Sequence, residues 1–116
     1  MHIIIHDLIG PRCIIKEDGQ KVYDLIHDPL LRGEKVEIDF KSVEQFASPF
    51  FNLAIGQLLK DVKETDISRF LQIVNLNETG SLVVKRVIEN AAHYYGDKDF
   101  HKIVDDILAQ QAKEPA

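Results

Sequence analysis

Apolar and polar residues alternate along Lys35–Phe40: Val36, Ile38 and Phe40 against Lys35, Glu37 and Asp39. A period of two predicts a strand with one better-buried face. His2–Leu8 is β-branched and apolar and predicts another strand. Gly10–Pro11 breaks it, and Arg12–Ile15 is expected as a short second strand, in a hairpin or bent pair with the first. Arg69–Leu76 is almost continuously apolar, which predicts a strand buried on both faces.

Between these runs the period changes to that of a helix. Glu17–Asp28 places Val22, Leu25 and Ile26 on one face, with Glu17 and Asp18 suited to its first turn. Pro29 is expected to end it at Asp28, and Gly33 gives the turn that follows. Lys41–Ala47 reads as a loop. Pro49–Val62 then carries Phe51, Ala54, Ile55, Leu58, Leu59 and Val62 in one stripe. Phe50 and Leu53 fall off its edge, while Asn52, Gln57 and Lys60 face away. Gly56 sits mid-helix at a cost of about 1 kcal/mol relative to Ala, the mark of a close approach to another backbone. Asn77–Gly80 is a loop or first turn. Leu82–Tyr95 is a helix with Val84, Val87, Ile88, Ala91 and Tyr95 inward and Gly96 as its stop. Asp97 or Asp99 caps a last helix carrying Phe100, Ile103, Val104, Ile107 and Leu108.

This order predicts an α/β fold: a mixed, partly parallel sheet of about four strands covered by about four helices, with right-handed crossovers. No repeat or linker divides the chain, so one domain is expected over residues 1–112, with a frayed tail at 113–116.

Composition narrows the function classes. With 45% hydrophobic and 28% charged residues, the chain suits one globular core rather than disorder. Cys13 is the single cysteine, so no intrachain disulfide forms. The start, MHIIIHDLIG, lacks a basic leader, and no apolar run reaches the ~20 residues that span a bilayer. A cytoplasmic location without membrane attachment is expected. The net charge of −5 and the lack of a long basic run argue against a nucleic-acid partner; Lys85–Arg86 reads as solvated surface.

The chemistry-bearing residues make no active-site pattern. Glycines never cluster into a phosphate-binding loop. His2 and His6, four residues apart on a strand, would stand about 13 Å apart, too far to share an ion. A helix break separates His93 from His101, and no Cys/His cluster exists. Cys13 lies among isoleucines and reads as a buried, inert thiol. Asp105 and Asp106 point about 100° apart on a helix and read as solvated rather than as a catalytic pair. No enzyme, metal or cofactor is expected.

Two places carry competing readings. Ser48 is either the N-cap of the Pro49 helix, with Pro at the first helical position, or a phosphoacceptor at the positive helix end. The residues favour the cap. Phe50 and Leu53 are either covered by a neighbouring helix or form an exposed apolar patch for a partner, beside the Ser48 turn. The residues favour cover.

The run VEIDFKSVEQFASPFFNLAIGQLL, from Val36 to Leu59, resembles the centre of a STAS-type domain, nearest the STAS-like family of bacterial proteins. Asp39, Phe40, Val43, Ser48, Phe50 or Phe51, and Gly56 match its pattern, over roughly residues 10–75. STAS domains include anti-sigma factor antagonists, which bind kinase-type anti-sigma factors and are switched by serine phosphorylation at the head of this helix. The resemblance therefore implies a non-enzymatic regulatory module in signalling. Its partner would be a protein of the histidine-kinase-like ATPase or anti-sigma class, docked through Ser48, Phe50 and Leu53. The alternative it implies is a small-ligand or nucleotide-binding sensor. Aligned back from Gly56, Ala47 holds the antagonists' aspartate place and Ser48 the first serine. Pro49 holds the acceptor place and Phe50 the glycine. A one-residue shift would restore Ser48 as acceptor, still without the Asp and Gly.

Overall fold

The structure, a computed structural model, describes residues 1–95 and 104–109. Its organising strand is the one with the clearest alternation, Val36–Asp39, here β3. β1 (His2–Ile4) and β5 (Leu71–Val74) pair with it in parallel, one on each side, giving the order β1-β3-β5. β2 (Arg12–Cys13) and β4 (Gln45–Phe46) form a second, two-stranded parallel sheet. The α/β class is as the sequence predicts. The hairpin of the first two strands is not formed, because β2 pairs with β4 instead.

Four residues of β3 set the length of both neighbours. Ile4 pairs with Asp39, the last residue of β3. The chain beyond Ile4 has no partner and closes into α1 (Ile5–Ile9), so the expected strand over His2–Leu8 is cut to three residues. At the other side Leu71 pairs with Val36, the first residue of β3. Arg69 and Phe70 therefore end a helix, α5 (Glu64–Phe70), rather than begin a strand.

One sheet face is fully covered and the other only in part. Val36, Ile38, Leu71 and Ile73 are buried beneath the helices. His2, Glu37 and Gln72 form a cross-strand row on the opposite face, and Gln72 is exposed. The expected double burial of the last strand thus holds only in part: on this face of β5 Val74 is buried, but Gln72 is exposed.

α2 runs Lys16–Leu31 and passes through Pro29. Pro29 and Leu30 are buried, and that burial offsets the roughly 3 kcal/mol cost of an interior proline. The stop comes instead at Gly33, whose φ of 73° ends the helix. Val22 and Ile26 face the core, but Leu25 is exposed. α6 (Glu78–Tyr95) begins four residues earlier than the apolar pattern suggests. The Asn77 side chain accepts the Gly80 N–H at 2.8 Å, satisfying a free amide of its first turn. Tyr95, expected inward, is exposed. Residues 104–109 are helical, with Val104 and Ile107 in the core. Gly96, Asp97, Asp99, Phe100, His101, Ile103 and the tail at 110–116 lie outside the described residues.

Candidate functional site: the Ser48 turn and its flanks

The turn stands on an aromatic platform. Phe40, Phe46 and Phe51 meet with ring centroids 5.7–6.0 Å apart, and Phe50 meets Phe51 edge-on at 5.1 Å. Such contacts add about 0.5–1.5 kcal/mol each beyond area burial. Backbone bonds pin the turn from the side. The Glu44 N–H donates to the Pro11 carbonyl at 2.8 Å, and the Ala47 N–H to the Cys13 carbonyl at 2.9 Å. These bonds carry an extended backbone as far as Ala47, whose φ of −146° and ψ of 152° make it the N-cap of α3 (Ser48–Phe51).

Ser48 is therefore the first helical residue, not the cap, and no side chain caps this end. The cap expected of it is corrected: β4 holds the chain extended up to Ala47, and the helix begins one residue early. Ser48 and Pro49 are both exposed.

The docking role expected of Phe50 is corrected too, whereas the cover favoured from the residues is what the structure shows. The relative exposure of Phe50 is 0%, so it presents no surface to a partner. Two causes place it inside. The helix continues as a π-helical segment, Asn52–Gly56, before α4 (Leu58–Asp61). The Gln57 N–H reaches back five residues to the Asn52 carbonyl at 3.1 Å. The wider turn spreads the apolar face beyond the stripe an α-helix gives. In addition, α2 crosses at Gly19, where a Cβ would overlap the Phe50 carbonyl oxygen and stand 3.0 Å from the Leu53 Cβ. Leu53 is half-buried in this crossing. The stripe from Phe51 to Val62 is buried as predicted.

Beside the turn lies a feature that no periodicity announced. An open groove of about 540 Å³ is lined by the apolar Ile9, Ile14 and Ile15 and by Arg12, Asp18 and Gln45. Ile15 is 50% exposed. The groove runs along β2 and the start of α2, the elements that hold Ala47 and Phe50. The bond from Ala47 to Cys13 thus ties the Ser48 turn to the strand beside the groove. Cys13 lies behind it, fully buried. Burial, with Asp18 second, pushes its thiol up to about 12, which leaves no nucleophilic thiolate near neutral pH.

Two polar clusters outside the turn were also missed. The first joins α2 to α4: His27 Nε2 lies 2.8 Å from Asp61 Oδ2 and Nδ1 3.2 Å from Asp28 Oδ1, while the Tyr23 ring stacks at a tilt 4.9 Å from the imidazole. Burial pulls the His27 pKa down, but hydrogen bonds to Asp61 and Asp28 outweigh it, and the net shift is upward. Burial, then Asp61, raises Tyr23. The second cluster ties strand ends. Asp39 Oδ1 accepts from the Lys41 N–H at 2.9 Å and from Asn75 Nδ2 at 2.8 Å, with Ser42 and Asn75 at positive φ. Beside it His2 Nδ1 pairs with Glu37. The contact of α2 with α4 makes the first cluster, and the parallel pairing of β1, β3 and β5 brings the second together. Asp105 is exposed and Asp106 half-buried. Among the described residues, no three His, Cys, Asp or Glu side chains group as metal ligands. No helix there is long and apolar enough to cross a membrane.

The model of a protein family described as a STAS-like domain of unknown function matches residues 18–81, more than half of the chain. No curated protein and no solved structure matches. The matched span runs from the first turn of α2 to the first turn of α6. Within it, the residues that carry the resemblance hold structural posts. Asp39 locks two strand ends, Phe40 and Phe51 build the platform, Val43 is buried, and Gly56 lies against α6.

Proposed function

The chain belongs to the family of STAS-like domains, and from that premise we propose that it is a non-enzymatic regulatory module. It docks a protein partner through the Ser48 turn. One observation carries the reading: Ser48 and Pro49 stand exposed on an aromatic platform, next to an open groove that is apolar at Ile9, Ile14 and Ile15. A rigid, half-apolar concave surface with Arg12 and Asp18 at its rim suits a protein contact, where an apolar centre and a polar rim are the usual arrangement. The docking set is then Ser48, the exposed edge of Leu53, and Ile15, with Phe50 as support from below.

The resemblance supplies the partner class, a histidine-kinase-like ATPase or anti-sigma-type regulator. Ser48 serves as a contact rather than a phosphoacceptor, since Pro49 and Phe50 stand at the acceptor and glycine places. Peptide mass spectrometry of protein from its native cells checks this, and phosphoserine at 48 would refute it.

The docking claim is tested by site-specific photo-crosslinking in the native cells. A photoreactive residue replaces Ser48 or Ile15, with Leu82, 61% exposed on α6, as control. Positions 48 and 15 should capture one common protein that position 82 does not. Capture of that protein equally well from position 82, or of nothing from 48 and 15, would overturn the reading.

A further inference from the structure

We propose that the cleft between the π-helical segment and α6 binds a small, neutral, planar ligand of the carboxamide or nucleobase class. The cleft is open to solvent and offers about 300 Å³, at the lower end of small-molecule sites, which suits one or two fused rings. Its floor is Gly56 and Ala91. A Cβ at residue 56 would stand 3.3 Å from Val87 Cγ1 and 3.8 Å from Ala91 Cβ, so the glycine keeps the floor low.

The walls supply matched chemistry. Asn52, Gln57 and Asn90 line the cleft. Gln57 Nε2 is committed to the Leu53 carbonyl at 2.8 Å and to Gln20 Oε1 at 3.0 Å, which leaves its Oε1 to accept. Asn52 and Asn90 are exposed and make no side-chain hydrogen bond among the described residues. Each offers a donor and an acceptor in one plane, the pattern that reads the edge of a carboxamide or a base. Tyr94, 81% exposed, meets Tyr95 edge-on at 4.8 Å and offers a ring face for stacking. Among the described residues no charged side chain lines the cleft, so none of them offsets a phosphate or carboxylate. The π turn itself sets Asn52 and Gln57, and such turns recur at functional sites. This site is separate from the Ser48 turn and does not depend on the docking reading.

The test is an NMR titration of the ¹⁵N-labelled full chain with nicotinamide, uracil and adenine, each beside a charged counterpart: nicotinate, orotate and AMP. At least one neutral probe should give saturable shifts in the side-chain amides of Asn52, Gln57 and Asn90. Asn90→Leu should weaken that binding about three- to tenfold through the lost hydrogen bond. Tyr94→Ala should weaken it about fivefold or more through lost stacking. Both positions are exposed, so the variants should fold. Ile15→Arg should leave the titration unchanged. The proposal is overturned by the absence of saturable shifts with every neutral probe, by tighter binding of the charged counterparts, or by affinity that neither Asn90→Leu nor Tyr94→Ala lowers.

Discussion

The helix that follows Ser48 meets two neighbours, and it meets them differently. Against α2 the contact is closed: the Gly19 backbone lies on the Phe50 carbonyl with no room for a single carbon. Against α6 the contact at Gly56 is made through the side chains of Val87 and Ala91, and a cleft opens beside it. Both seams use a glycine, but for different ends. Gly19 permits backbone contact, which fixes the Ser48 turn rigidly to the groove. Gly56 permits a shallow floor under Asn52, Gln57 and Asn90. A protein surface needs the first kind of seam and a small-molecule cleft the second.

The sharpest way to break this contrast is to empty the closed seam. Phe50→Ala removes a fully buried ring and should cost about 3–5 kcal/mol in urea unfolding. A cost below about 1 kcal/mol would mean that Phe50 faces outward after all. Gly19→Ala tests the same seam from the other side. Its methyl must push the Phe50 backbone away, and overpacking of this kind costs about 1–3 kcal/mol. Gly56→Ala should behave otherwise. About 1 kcal/mol of helix propensity is gained against a side-chain contact at 3.3 Å that can yield, so stability should change by less than about 1 kcal/mol. Equal losses at residues 19 and 56 would erase the distinction.

The smallest effect concerns the His27 bridge between α2 and α4. Its folded pKa is raised above the ordinary value, so its contribution is fully present below the unfolded pKa of about 6.5 and is lost as pH rises through the folded value. Asp61 is half-exposed, which keeps the contribution under about 1 kcal/mol. Denaturant midpoints of wild type and Asp61→Asn should therefore differ most on the acid side of that window and converge above it. A difference that grows with pH would contradict the assignment.

How much the sequence disclosed depends on the range of the interaction. The alternation in Val36–Phe40 and the stripe from Phe51 to Val62 are local patterns, and both predicted burial correctly. The ends of β1 and β5 depended on which residues of β3 remained to pair with, and no local pattern records that. The helix start at Ser48 followed from Ala47 bonding to Cys13, thirty-four residues away in the chain. The cover favoured for Phe50 is what the structure shows, but its cause, a π turn and the crossing at Gly19, does not follow from an ideal helical period. The groove and the cleft are made by elements distant in sequence, so neither left a motif. The resemblance nonetheless pointed to the right family, because residues such as Asp39, Phe40 and Gly56 hold the frame together.

Hydrogen exchange of the chain, alone and with the partner captured from position 48, tests the central claim most directly. The account predicts added amide protection within residues 11–20 and 45–53, with the exposed sheet face at His2, Glu37 and Gln72 unchanged. Protection concentrated on that sheet face, or on α6 alone, would contradict docking through the Ser48 turn.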